Sequence, residues 1–233
     1  MTCGSWGVEP GGVTATRGAQ RSYYLSSGES VPGFRPDKGD NGVRTVIYSM
    51  GVSLDGYIAG RDGNDWGGPD AVLHRFHNQQ ASELGLHLLG RRLYEVMAFW
   101  ETAEDRNPSA PTSVSELDVA QLEFARIWKQ LPKLVFSKSL GGVEGNARLS
   151  RADPVQTVQA LKEEDGGPIA VGGAELAATL TAHRLIDEYH LFVYPVALGG
   201  GKPFFADDTR VDLELLETRT FSNRVVYLRY RRA

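Results

Sequence analysis

This sequence predicts one α/β domain built on a mixed sheet over residues 43–233, on three observations. Strand patterns alternate with amphipathic helical patterns for most of the length, as when helices pack on a sheet. The last two strand patterns have no helix between them and read as a closing antiparallel hairpin. Two apolar strands, Leu86–Leu89 and Ile169–Val171, run straight into glycine and then into a helical pattern. Such turns let the backbone approach a ligand closely, because glycine places no Cβ in the way.

Each element has its own local reason. Arg44–Met50 is β-branched and aromatic, hence a strand. Asp70–Leu84 carries Leu73, Phe76, Gln80 and Leu84 on one helical stripe behind Pro69, a natural helix opener. Gly90-Arg-Arg-Leu-Tyr-Glu-Val-Met97 continues the Leu86 strand into a helix. Thr102–Ser113 is a polar, proline-containing loop. From Ser115 to Gln130, Leu117, Ala120, Phe124, Ile127 and Trp128, with Leu131, form an amphipathic face. Lys133–Ser137 and the shorter Ala147–Leu149 are strands. Asp153 caps and Pro154 opens a helix expected to end at Gly166-Gly167. After the helix Ala174–Ala182, Tyr189–Tyr194 is apolar on both faces, as in a doubly covered strand. Val211–Thr220 and Arg224–Arg231 form the hairpin.

Composition narrows the function classes. The chain has 233 residues, 41% hydrophobic and 23% charged, with a net charge of −4. No apolar run approaches a membrane span, and scattered arginine in an acidic chain leaves no nucleic-acid footprint. The single cysteine, Cys3, forms no intramolecular disulfide, which suits a reducing cytoplasm. Residues 1–42 hold nine of the 27 glycines and few aliphatics, so a disordered extension is expected there. A start of translation near Val43 is the alternative.

Three segments carry a resemblance. Ser53-Leu-Asp-Gly-Tyr-Ile-Ala59, Leu89-Gly-Arg-Arg-Leu-Tyr-Glu95, and Val171-Gly-Gly-Ala-Glu-Leu176 with Pro195-x-x-Leu-Gly-Gly-Gly-Lys-Pro-Phe-Phe205 are similar to motifs of one family. It is the dihydrofolate-reductase-like superfamily, in its RibD C-terminal (riboflavin-biosynthesis reductase) branch. The resemblance implies a three-layer fold with a mainly parallel sheet and an antiparallel C-terminal edge. It also implies NADPH across the strand ends, a cis Gly172–Gly173 peptide and a homodimer.

Residue by residue, the resemblance assigns the pyrophosphate region to Val171, Gly172, Gly173, Ala174, Glu175 and Leu176 on one side. Gly90, Arg91 and Arg92 flank it on the other, and arginine's planar fork suits phosphate. Ser137 and Lys138 stand at the adenosine 2′-phosphate, Gly51, Ile58 and Ala59 at the nicotinamide. Leu93 replaces the family's threonine. Asp55 and Asp70 are the candidate catalytic acids; Tyr57, Trp66 and Pro195 are the candidate substrate contacts. The bland readings are an Asp-Gly turn for Asp55, a first-turn helix acid for Asp70 and solvated charges for Arg91, Arg92 and Lys138. His74-x-x-His77 has metal-ligand spacing without an evident third ligand and reads as packing, so no metal is expected.

The function these features imply is hydride transfer from NADPH to a small heterocyclic or ribosyl-pyrimidine substrate, as in 5-amino-6-(5-phosphoribosylamino)uracil reduction. The deaminase signature of the bifunctional riboflavin enzyme is missing, so the chain reads as a stand-alone reductase domain. The alternatives are a pterin or dihydrofolate-type reductase and a non-catalytic nucleotide-binding sensor of the same fold.

Overall fold

The structure, a computed structural model, describes residues 43–61, 63, 68–103 and 115–233. Residues 1–42 and Trp66 lie outside the described residues, as does most of the polar loop before the Ser115 helix.

Among the described residues ten strands and five α-helices follow in order: β1 Val46–Ser53, β2 Tyr57–Ala59, α1 Ala71–Ser82, β3 Leu86–Gly90, α2 Arg91–Met97, α3 Glu116–Gln130, β4 Lys133–Phe136 and β5 Ala147–Ser150. Next come α4 Pro154–Lys162, β6 Ile169–Gly172, α5 Ala174–Ala182, β7 Glu188–Tyr194, β8 Lys202–Pro203, β9 Leu213–Thr220 and β10 Val226–Arg232. A short 3₁₀ turn, Ala98–Glu101, follows α2. The main sheet has the order β5-β4-β3-β6-β1-β7-β10-β9. The first six of these run parallel; β10 is antiparallel to both β7 and β9.

Helices cover both faces, because alternate residues of each strand point opposite ways. Val46, Tyr48, Leu88 and Val171 pack under α4 and α5 through Val158, Leu176 and Leu180. On the other face, Phe192 and Tyr227 meet Leu73 and Phe76 of α1, while Leu89 and Val135 meet Tyr94 and Trp128. Three layers result, so the expected mixed, mainly parallel α/β architecture is what the chain forms. Among the described residues no helix is long and apolar enough to cross a membrane.

Local expectations hold where capping and periodicity agree. Ser115 closes a full capping box with Asp118, and Asp153 accepts from the Gln156 N–H ahead of Pro154. Three differences have physical causes. Helix α4 ends at Lys162, ahead of Gly166-Gly167. That glycine pair instead lets two loops touch, since a Cβ on Gly167 would lie 2.9 Å from the Gly85 nitrogen. In α1 the buried residues include His74 and Asn78, which the apolar stripe omits. Asn78 donates to the Ala120 carbonyl and to Glu123, each at 2.8 Å, so a helix–helix contact is made by polar groups. The third concerns β2 and β8, absent from the strand pattern. They pair only with each other, through Tyr57–Pro203 and Ala59–Lys202.

Candidate active site

Parallel strands put their carboxyl ends on one edge, where open α/β sheets bind ligands. The loops leaving β1, β3, β4, β6 and β7 therefore carry Asp55, Gly90, Ser137, Gly173 and Pro195 to the same edge.

Two of the predicted segments meet there. Gly90 ends β3 and Gly173 follows β6, the neighbouring strand. A Cβ on Gly173 would stand 3.6 Å from the Gly90 nitrogen, so the two turns face each other. Between them lies a cleft of about 140 Å³, lined on one side by Gly90, Arg91 and Arg92 and on the other by Gly173, Ala174, Glu175 and Leu176. Gly173 has φ +104° and caps α5 without a side-chain bond, leaving the first-turn N–H groups to an outside acceptor. The Gly172–Gly173 peptide is trans, which corrects the expected cis bond. The chain changes direction through the positive φ of Gly173 instead. Gly172 is glycine for packing, because a Cβ would come within 2.6 Å of the Leu93 side chain. Leu93 thus joins the core beside Tyr94 and Trp128, where a threonine's hydroxyl would find apolar neighbours. Ala174 and Leu176 are buried at the cleft's edge, so they offer it backbone rather than side chains, whereas Val171 lies within β6 in the main core and does not line it.

The cations at this cleft are held loosely. Arg91 reaches Glu95 of its own helix at 3.5 Å. Arg92 and Lys202 both reach one oxygen of Glu175, at 3.3 and 3.4 Å. Farther along the edge, Ser137 is buried and its Oγ accepts from the Ser139 and Leu140 N–H groups. Lys138 is exposed on the same turn, which Arg151 braces by donating to the Ser137 carbonyl at 2.6 Å.

Asp55 stands at a second, wider hollow of about 880 Å³ that also involves Tyr57, Arg61, Gly199–Gly201 and Lys202. Its carboxylate accepts from Ser53 Oγ at 2.6 Å, from the Leu198 N–H at 3.0 Å and from the Gly199 N–H at 2.7 Å. These bonds, led by the Ser53 hydroxyl, hold its pKa down at about 2. An acid so stabilised as an anion tethers the Leu198–Gly199 turn and keeps no proton to give. Asp70 is the N-cap of α1, accepting from the Leu73 N–H at 2.9 Å, and also accepts from Ser222 Oγ at 3.1 Å. Both carboxyls thus accept hydrogen bonds from backbone N–H groups and from a serine hydroxyl.

The remaining predicted contacts are spread out. Ile58 is 6% exposed and packs in the main core, while Ala59 is half-buried opposite Lys202. Gly51 faces the Tyr194 ring, whose Cε2 would be 3.2 Å from an added Cβ. Burial, reinforced by the charge of Asp70, pushes the Tyr194 hydroxyl up to about 12. Pro195 is exposed. His74 bonds Asn78 and the His77 ring lies tilted against Phe192, their centres 4.3 Å apart, so that pair packs the core beneath α1. Sequence reasoning passed over Lys202, Arg61 and Tyr194. The glycine run before Lys202 was its only signal, since nothing in the linear order says that β8 returns to β2.

A sheet of this order, with glycine turns facing one another at its carboxyl edge, has the dihydrofolate-reductase-like fold. Dihydrofolate reductase from Enterococcus faecalis, complexed with NADP(H) and RAB-propyl, matches at a TM-score of 0.52 and 15% identity, over 81% of this chain and 96% of that one. The profile of the RibD C-terminal domain matches residues 44–227, and the chain belongs to that family. It is 32% identical to the uncharacterized protein YyaP of Bacillus subtilis (strain 168), over 80% of this chain and 94% of the relative. The Thermotoga maritima diaminohydroxyphosphoribosylaminopyrimidine deaminase/5-amino-6-(5-phosphoribosylamino)uracil reductase matches at a TM-score of 0.54 and 17% identity. That match spans 82% of this chain and 57% of the bifunctional one.

Proposed function

We propose that this chain is an NADPH-dependent reductase acting on a small heterocyclic or ribosyl-pyrimidine substrate. One observation carries the reading: two turns distant in sequence face each other through glycines, Gly90 and Gly173, that put no Cβ into the cleft between them, and three cations, Arg91, Arg92 and Lys202, border it. Such a cleft suits a pyrophosphate, which needs close N–H donors and fixed positive charge. When bound, NADPH supplies a hydride.

The chain's own residues position and shield. Gly90 and Gly173 admit the phosphates, and Arg91 and Arg92 neutralise them. Ser137 retains its own O–H, and with Lys138 it offers a donor and a cation to a 2′-phosphate, which favours NADPH over NADH. Asp55 fixes the turn that walls the wider hollow, where Tyr57 and Arg61 meet the substrate. Because Asp55 is ionised at neutral pH and hydrogen-bonded, the proton that completes reduction comes from water or from the substrate's own surroundings. Asp70, which would mark a pterin reductase, is engaged as a helix cap.

Calorimetric titration of the full chain with NADPH and NADH tests the reading, followed by NADPH oxidation against pyrimidine, flavin and pterin substrates. Tighter binding of NADPH than NADH, with turnover of a pyrimidine substrate, is the expected result. Absence of any heat with NADPH at millimolar concentration rejects the reductase; binding without turnover on any substrate favours the sensor.

A further inference from the structure

Lys202 borders both hollows, the narrow cleft between the glycine turns and the wider one beside Asp55. It stands there because the chain doubles back. Gly199, Gly200 and Gly201 all have positive φ, at 68°, 154° and 141°, and β8 then pairs with β2 opposite Ala59. No side chain fits at Gly201, where a Cβ would run into the Ala59 carbonyl. The backbone of Lys202 is therefore tightly placed, while its side chain is about one-third exposed and its ammonium has one long contact, to Glu175 at 3.4 Å.

Its partner is Glu175, which also takes Arg92 on the same oxygen. One carboxylate thus sits between two cations in the very cleft that suits a pyrophosphate. An acid in the first turn of a helix is ordinarily explained by the helix dipole alone. That account leaves unexplained why two cations from separate elements, α2 and β8, converge on it.

We infer that Lys202 is a phosphate-binding residue of the cofactor cleft, and that Glu175 is an internal counter-ion which the incoming phosphates displace from Lys202 and Arg92. The inference rests on the dinucleotide reading above and assigns a residue and a competitor to it. The exchange is a feasible one, because both ion pairs are long and solvent-exposed, and such pairs are weak. Phosphate offers several oxygens to cations that one carboxylate oxygen serves poorly. Once displaced, Glu175 stands beside a like-charged ligand, so its presence works against binding.

The test is a two-residue cycle, Lys202→Ala and Glu175→Gln, read by calorimetric Kd for NADPH with thermal melting as a folding control. Glu175→Gln is expected to tighten binding about threefold to tenfold, a range set by the worth of exposed pairs. Lys202→Ala is expected to weaken binding roughly tenfold both in the parent and in the Glu175→Gln background, with Lys202→Arg restoring most of the loss. If Lys202 merely neutralises Glu175, Lys202→Ala is silent once Glu175 is gone, and the inference is overturned. Weaker binding on Glu175→Gln also overturns it. Should the parent bind no NADPH, the reductase reading falls and takes this inference with it; a parent that binds while Lys202→Ala is unchanged sinks the inference alone.

Discussion

The molecule contains the same ion pair, arginine with glutamate, in two settings that behave oppositely. At the cleft between the glycine turns, Arg92 and Glu175 meet through one contact of 3.3 Å with side chains 74% and 77% exposed. Between β7 and β10, Arg229 grips both oxygens of Glu188 at 2.8 Å, with side chains 9% and 8% exposed. The second pair is also embedded in a network. His190 Nε2 stands 2.8 Å from Glu188, its Nδ1 is 3.2 Å from the Tyr227 hydroxyl, and Gln80 donates to that hydroxyl at 3.1 Å. A neutral His190 with its proton on Nε2 satisfies every link: Nε2–H donates to Glu188 and Nδ1 accepts from Tyr227. Burial holds this histidine neutral by pushing its pKa down. One pair is sealed and bidentate, a part of the fold. The other is open and singly bonded, so a ligand can take its place.

The largest test of this contrast is Glu188→Ala. Removing Glu188 takes from the buried Arg229 the two bonds that hold its guanidinium inside the sheet, and the expected cost is about 3–5 kcal/mol in chemical denaturation. A value below 1 kcal/mol would show that water reaches the network and that the two pairs are alike.

Acid sharpens the same distinction. Burial tends to raise the Glu188 pKa, but hydrogen bonds from His190 and Arg229 win and hold it at about 2. A depressed carboxylate contributes stability that is complete above its unfolded value and is lost as pH falls toward the folded one. His190, whose pKa is lowered by burial in the folded state, adds a loss that begins as pH drops below about 6.5, because the unfolded chain then takes up a proton that the folded one does not. Stability should therefore decline in denaturant titrations below that pH and steepen between about 4.5 and 2, with Glu188→Gln giving a shallower slope.

Gly173→Ala probes the open region through its backbone. At φ +104° an alanine is strained by about 1–3 kcal/mol, and its methyl would enter the cleft toward Gly90. Loss of NADPH binding larger than the loss of stability is expected, read by calorimetry beside a melting curve. The smallest effect belongs to Arg92→Ala. Its exposed pair should be worth less than about 0.5 kcal/mol of stability, while NADPH affinity falls several-fold. An equal change in both would mean that Arg92 serves the fold as Arg229 does.

Several of these features were legible in the linear chain. The capping residue Asp153 announced its helix, since a cap is a local contract between a side chain and an N–H group a few residues on, whereas Asp70, read as a first-turn acid, is the N-cap of α1, and Ser115, read only as a helix start, closes a capping box. The glycine turns after β3 and β6 were equally visible, because an apolar run ending in glycine has few other uses. The buried polar network was invisible. Glu188, His190 and Arg229 belong to strand patterns in which a charge normally marks the solvent face, and their burial depends on β10 lying beside β7. Asp55 shows the same limit: an Asp-Gly turn was readable, but its bonds to Leu198 and Gly199 join residues more than 140 positions apart.

By itself, then, the sequence determined the alternation of strands and helices, the family to which the chain belongs and which turns stay free of side chains. Those properties follow from periodicity and from glycine's missing Cβ, both readable within a few residues. Only the tertiary structure decided that the Gly90 and Gly173 turns face each other, that Lys202 returns to stand between two hollows, and which arginine–glutamate pair is sealed from water. Adjacency of strands and exclusion of solvent are set by the whole packed sheet, and no local stretch of chain encodes either.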